Sequence, residues 1–277
     1  MDIRLIVSDV DRTILPVGGC ASPATVEAVR RCRARGTEFA ICSGRWFPSA
    51  RDVSAGQLGI HDGYMIICNG GAVVKSDGTI LMEDGLERAQ AEEVYEMMRG
   101  EPVTLCSYVR GAIYRLHMEH LTVFHLPERP ARIGGVSYDI IDEDERAFER
   151  RGLERPYKLE IHADDRELLA RLKVRLAATG LDVGGSYPNN VEIMKPGTGK
   201  GAATRWLTEH LGLKREQVMG FGDFTNDLPM LENVGYPMAV GNALDEVKRV
   251  CRAVVPACEE DGVAWAIEKY VLGGGEL

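Results

Sequence analysis

The chain predicts an α/β fold, a parallel sheet with helices on its faces, interrupted by an inserted α+β unit. Three observations predict it. Short apolar runs alternate with helical patterns over the first eighty residues or so. That rhythm gives way after about residue 84 to strands joined by turns and mixed with helices. Strand–helix alternation then resumes to the C-terminal side. Alternating βαβ units bury a parallel sheet between helices, whereas hairpin-joined strands belong to a separate α+β unit.

Residues 3–8 read as a buried strand. Residues 24–35 read as a helix, opened by Ser22-Pro23 and closed by Gly36, because proline suits a first turn and glycine the residue past the last one. Residues 37–42 and 64–68 give the next two strands. Asn69-Gly70-Gly71 is a turn leading into a small hairpin, residues 72–74 and 79–81, joined by Ser76-Asp77-Gly78. In the interrupting part, residues 87–99 are helical and strands 103–108 and 112–116 flank Arg110-Gly111. A strand at 136–141, an acidic helix-like stretch, a strand at 157–161, a helix at 166–178 and short strands near 181–183 and 191–194 follow. The last stretch reads as helix 201–211, strand 218–221, a helix from Asp227, strand 238–240, helix 244–250, strand 253–255 and helix 263–270. Gly273-Gly274-Gly275 reads as a frayed tail.

The totals bound the function. The 277 residues suffice for one large domain or two modest ones, and a hydrophobic fraction of 45% supplies a core. Thirty-three Lys and Arg against 42 Asp and Glu give a formal charge of −9, which argues against nucleic acid or an anionic membrane as the main partner. Anionic small substrates stay compatible, because a metal and a few local cations set the field of one cleft. The seven cysteines, at 20, 32, 42, 68, 106, 251 and 258, contain no Cys-x-x-Cys pair, so a reducing cytoplasm is expected rather than a disulfide framework or zinc clip. The start, Met1-Asp2-Ile3-Arg4, carries no secretory apolar core, and no apolar run approaches membrane-spanning length.

The chemistry-bearing stretches sit where apolar strands end. Asp9-Val10-Asp11-Arg12-Thr13 follows the first strand and offers two carboxylates and a hydroxyl. In open α/β sheets, ligands bind outside the carboxyl ends of the strands. Two close acids resist joint ionisation unless a cation sits between them. Gly220-Phe221-Gly222-Asp223-Phe224-Thr225-Asn226-Asp227 repeats the pattern, so Asp223 can join Asp9 and Asp11 around one Mg²⁺, an ion suited to hard oxygen ligands. Alone, Asp227 could instead be only a helix cap and Asp223 a turn residue. Ser43-Gly44-Arg45 supplies a hydroxyl and successive N–H groups able to hold phosphate oxygens, or an ordinary turn. Lys200, at a helix start, can neutralise a phosphate and a nucleophilic carboxylate together. The rival P-loop reading fails, because Met194 and Gly201 stand where that motif needs glycine and Ser or Thr. His117, His120 and His125 crowd one segment near Arg110 and Arg115, with no cysteine or close carboxylate set to make a zinc site. A solvated or core role, or a share in binding an anionic substrate, is the reading there.

In this order the pieces resemble the haloacid dehalogenase-like hydrolase superfamily. Asp9-x-Asp11-x-Thr13 resembles its first motif, Ser43 its second, Lys200 its third and Gly222-Asp223-x-x-Asn226-Asp227 its fourth. Asn69-Gly70-Gly71, residues 157–161, Val240-Gly241-Asn242-Ala243 and Asp261-Gly262-Val263-Ala264 resemble the Cof-type branch, subfamily IIB. Phe224-Thr225 departs from the smaller residues usual after the fourth-motif Asp. The resemblance implies a Rossmann-like core over residues 1–84 and 189–277, with a substrate-selecting cap over 85–188. It also implies a Mg²⁺-dependent phosphatase of small phosphorylated metabolites, sugar phosphates first, acting through an aspartyl-phosphate. Asp9 would be the nucleophile, Asp11 the general acid and base, and Ser43, Gly44, Arg45 and Lys200 the phosphate holders. Asp9, Asp11 (through its carbonyl), Asp223 and Asp227 would serve the metal, and Asn226 would reach substrate. Arg110, Arg115 and Lys158 are the cap residues expected to meet the leaving group. A cytoplasmic monomer or small homo-oligomer with a small-molecule partner is expected. A phosphosugar mutase and a non-catalytic phospho-ligand-binding module are the alternatives.

Overall fold

The computed structural model describes residues 1–120, 128–185 and 188–275. The chain forms two compact units, residues 1–81 with 199–277, and residues 82–198. The first unit begins with β1 (Leu5–Ser8), α1 (Pro23–Ala34), β2 (Glu38–Cys42), α2 (Phe47–Arg51), β3 (Tyr64–Ile67), β4 (Ala72–Lys75) and β5 (Ile80–Glu83), where the second unit takes over. The second unit runs α3 (Arg88–Met98), β6 (Thr104–Val109), β7 (Ala112–Leu116), β8 (Ala131–Ile133), β9 (Val136–Asp142), α4 (Glu145–Ala147), β10 (Lys158–His162), α5 (Arg166–Ala177), β11 (Asp182–Gly184) and β12 (Asn190–Met194). The first unit resumes with α6 (Lys200–His210), β13 (Val218–Gly222), α7 (Leu228–Glu232), β14 (Tyr236–Ala239), α8 (Asp245–Val250), β15 (Ala253–Val254) and α9 (Gly262–Ala266).

The first unit's sheet has the order β15-β14-β13-β1-β2-β3-β4-β5. Strand β1 lies between β13 and β2, parallel to both, with Leu5 opposite Val218 and Glu38. All four of its residues are buried. A strand covered on both faces needs no polar alternation, which is why its apolar run is continuous. Helix α1 starts on a Ser22 side chain that accepts from the Thr25 N–H, has Pro23 in its first turn, and buries Ala28, Val29 and Cys32.

The second unit's sheet, β11-β12-β10-β6-β7-β9-β8, is antiparallel except where β7 meets β9. Leu105, Leu159, Ile161, Val191 and Ile193 share a core with Val94, Tyr95 and Met98 of α3 and Leu168, Leu172 and Leu176 of α5. Both chain crossings into this unit are tied by Asp84. Its carboxylate accepts from Lys195 Nζ and from Thr198 Oγ1, each at 2.7 Å.

Three features differ from the sequence expectation. The return to the first unit falls at Thr198/Gly199 rather than 188/189, because β12 pairs antiparallel with β10 and β11 and so completes the second sheet. Residues 47–57 are helical, α2 followed by a wider turn over Asp52–Gln57, although Pro48 and Gly56 punctuate the stretch. The terminal helix divides into α9 and a wider turn over Ile267–Leu272, and the Gly275 N–H returns to Lys269 O at 2.9 Å. Among the described residues all seven cysteines are free, and no helix is long and apolar enough to cross a membrane.

Candidate active site

The site is assembled at the carboxyl ends of β1 and β13. The Asp9 N–H donates to Phe221 O at 2.9 Å, which extends the β1–β13 pairing by one residue and brings the first and fourth motif loops side by side. The chain then closes a tight turn, with Ile14 and Leu15 N–H groups both returning to Val10 O and Arg12 in a left-handed conformation, φ 65°. Asn242 staples this turn from outside. Its Nδ2 donates to Arg12 O and its Oδ1 accepts the Cys258 N–H, both at 2.8 Å.

Asp9, Asp223 and Asp227 bring carboxylate oxygens within 4.8 Å of one another, all buried. Lys200 stands among them, itself only 2% exposed, with Nζ 2.5 Å from Asp9 Oδ1 and 2.6 Å from Asp227 Oδ1. Asp227 has no oxygen left over. Its Oδ2 accepts the N–H groups of Asp223 and Phe224, at 3.0 and 3.1 Å. It therefore orients Lys200 and the turn carrying Asp223. Glycine is required at 222 by this packing, because a Cβ there would lie 2.6 Å from the Asp227 Cβ. Thr13 Oγ1 donates to Asp223 Oδ1 at 3.1 Å, and Arg12 Nε lies 3.8 Å from Asp223 Oδ2.

One ammonium faces three carboxylates, and the titration behaviour follows. Burial, with the neighbouring Asp227 and Asp223 charges, pushes the Asp9 carboxyl well above its ordinary value despite Lys200. Burial and Asp227 push Asp223 up to about 6. Burial alone would discharge Lys200, but Asp227 and Asp9 outweigh it and hold the ammonium charged. An all-oxygen, under-neutralised donor set of this kind fits a hard divalent cation. Asp9 and Asp223 are the carboxylates placed to hold it.

The other expected residues divide. Ser43 is buried, and its Oγ accepts the Arg45 N–H at 3.2 Å. Gly44 and Arg45 follow in the same turn. Arg45 is placed on Asp11: Nε reaches Asp11 Oδ2 at 3.0 Å and a terminal nitrogen reaches Oδ1 at 2.6 Å. The Asp11 carboxylate thus stands outside the metal-competent trio, occupied by a two-point ion pair. Asn226 lies in the short turn Thr225–Asp227, half-buried. In the second unit Arg110 pairs with Glu83 at 3.8 Å, Arg115 with Asp142 at 2.6 Å, and Lys158 with Glu160 at 2.6 Å. His117 does gain carboxylates: Glu119 and Glu143 bring ligand atoms within 4.8 Å of it. Both Glu143 oxygens, however, accept backbone N–H groups, from His117 and Met118. His125 lies outside the described residues. Sequence reasoning missed the Asn242 staple, whose signal was its place in Val240-Gly241-Asn242-Ala243.

Comparison with known proteins shows the family. The chain is 28% identical to the HMP-PP phosphatase of Serratia proteamaculans, over 99% of each chain. It is 26% identical to a 5-amino-6-(5-phospho-D-ribitylamino)uracil phosphatase of Bacillus subtilis, over 98% of this chain and 97% of that one. Among solved structures, a haloacid dehalogenase-like hydrolase from Bacteroides thetaiotaomicron superposes with a TM-score of 0.80 at 25% identity, over 97% of this chain and 99% of that one. The family model for haloacid dehalogenase-like hydrolases matches residues 6–267, nearly the whole chain: the chain belongs to the haloacid dehalogenase-like hydrolase family.

Proposed function

We propose that the protein is a Mg²⁺-dependent phosphatase of small phosphorylated metabolites, sugar phosphates first, acting through an aspartyl-phosphate on Asp9. The observation that carries this is the Asp9–Lys200–Asp227 contact inside a trio of buried carboxylates. The phosphatase names of the full-length relatives support the reaction class.

Asp9 attacks phosphorus, which splits a difficult hydrolysis into formation and breakdown of an acyl phosphate. Lys200 and Ser43, with the N–H groups of the Gly44 turn, hold the transferring phosphoryl oxygens, and positioned charge supplies most of the rate. Asp11 gives a proton to the leaving oxygen and then takes one from the attacking water. Arg45, clasping Asp11, orients that carboxylate. Asp9, Asp223 and the Asp11 carbonyl would hold the divalent cation, with Asp227 steadying the shell, and its charge would offset that of the carboxylates and of the phosphate. The residue 82–198 unit selects the leaving group.

The test is phosphate release from a panel of phosphorylated sugars, nucleotides and cofactors, with Mg²⁺ and with chelator, beside Asp9→Asn. Metal-dependent release abolished by Asp9→Asn is expected. Return of the phosphoryl group to sugar, with no free phosphate, would assign a mutase instead. Saturable binding without turnover would assign a binding module.

A further inference from the structure

The turn Cys68–Gly70 follows β3 and belongs to neither the nucleophile loop nor the metal-competent trio. Asn69 in it is 5% exposed and sits in a left-handed conformation, φ 55° and ψ 26°. Its side-chain oxygen is buried with no hydrogen-bond partner. Leaving a buried acceptor without a donor is costly. The left-handed backbone suits asparagine as it suits few other residues, so the cost to be explained is the unmet oxygen alone.

The contacts of this turn say what the residue does. The Asn69 N–H donates to Ser43 O and the Cys68 N–H to Arg45 O, both at 2.9 Å. The Asn69 carboxamide faces the open side of Gly44: a Cβ built there would meet Oδ1 at 3.1 Å, Nδ2 at 3.3 Å and Cγ at 3.4 Å, so only glycine leaves it room. On the other side Gly70, φ +103°, abuts the start of α6. A Cβ at Gly70 would collide with the Gly199 carbonyl and lie 2.9 Å from Lys200 N. One turn therefore touches both loops that carry the phosphoryl holders, the Ser43–Gly44 peptide and the helix start that presents Lys200.

We infer that Asn69 is a positioning residue for the phosphoryl-group site, its carboxamide fixing the Ser43–Gly44 peptide in register with Lys200. The inference rests on the phosphatase reading. The unmet oxygen is the sign of a residue kept for placement at a stability cost, a familiar exchange at functional sites.

The informative variant is Asn69→Gly, because glycine accepts the left-handed backbone while the whole side chain, carboxamide included, is removed. Four quantities are read on the full chain with Mg²⁺: the affinity for inorganic phosphate by calorimetry, kcat and KM for para-nitrophenyl phosphate, and the melting temperature. Asn69→Gly should weaken inorganic phosphate about tenfold and lower kcat/KM at least as much, with the melting temperature unchanged or raised. Phosphate affinity and kcat/KM within about twofold of wild type would overturn the inference, as would losses in both accompanied by a lowered melting temperature. If the wild type itself neither binds inorganic phosphate nor releases it, the phosphatase reading fails first and takes this inference with it. That outcome is separate from a failure confined to the variant.

Discussion

Each unit buries a lysine among carboxylates, and the two clusters differ in how the charge is met. In the first unit Lys200 faces Asp9, Asp223 and Asp227, and Asp223 is left needing a proton up to about 6, through burial and its neighbour Asp227. In the second, Lys158 lies 2.6 Å from Glu160 and 3.3 Å from Glu192, with its ammonium 4.4 Å from the Tyr108 ring centre. Tyr108 also donates to Glu160 at 2.7 Å, and His162 Nε2 lies 3.3 Å from the same carboxylate. Burial works against the Glu160 charge, but Lys158 and His162 overcome it and hold the carboxyl well below its ordinary value. The second cluster is served by protein donors; the first is short of positive charge. Buried charge by itself therefore does not mark a site. A shortfall of compensation does.

The largest effect should come from Asp9, the proposed nucleophile. Asp9→Asn should lower phosphate release by about 10⁴-fold or more, while an equivalent change in the second cluster, Glu192→Gln, should leave metal dependence intact. Removing the two lysines sharpens the contrast. Lys200→Met and Lys158→Met should each cost about 3–5 kcal/mol in denaturant unfolding, since each strands buried carboxylates. Added Mg²⁺ should return part of the loss for Lys200→Met and none for Lys158→Met. Equal recovery in both would erase the distinction between the clusters.

A pH series tests the shortfall directly. Asp223 has its folded pKa raised to about 6, so its contribution to stability is present below the unfolded carboxylate value and is lost as pH rises through about 6. A divalent cation binds the ionised form. The gain in melting temperature on adding Mg²⁺ should therefore grow from about pH 5 to about pH 7, and a gain independent of pH would break the argument. The smallest effects probe the units as units. Ser22 caps α1, and Asp165 caps α5 by accepting the Glu167 and Leu168 N–H groups. Ser22→Ala and Asp165→Ala should each cost about 1 kcal/mol. Calorimetry will show whether both move one transition or each moves its own.

Much of the fold was legible because its signals are local. The continuous apolar run of β1, the Ser22-Pro23 start of α1 and the change from βαβ rhythm to hairpins can each be read within a short window. The end of the second unit was not, because β12 reads as a strand in either sheet and only its pairing with β10 and β11 decides. At the site, the residue types were legible and their partners were not. Arg45 sits in a phosphate-binding pattern, yet its geometry matches a carboxylate, and Asp11 lies 34 positions earlier. Asp227 reads as a helix cap or a ligand. The structure has it accept two backbone N–H groups with one oxygen and the Lys200 ammonium with the other. Asn69 was legible as part of the Asn69-Gly70-Gly71 turn, but what its side chain faces is seen only in its contacts.

The central place of β1 bears on how the chain is made. Its two neighbours are β2, which the ribosome delivers soon after, and β13, which emerges only after the whole of residues 82–198 has been synthesised. The second unit is one uninterrupted segment and can close on itself as it leaves the tunnel. The first cannot, so β1 waits with one hydrogen-bonding edge unpaired through most of translation, the stage at which such an edge is open to misassociation. Moving the start of the chain to the Thr198/Gly199 boundary by circular permutation would deliver β13 early, and should raise soluble yield without altering a single side chain of the site.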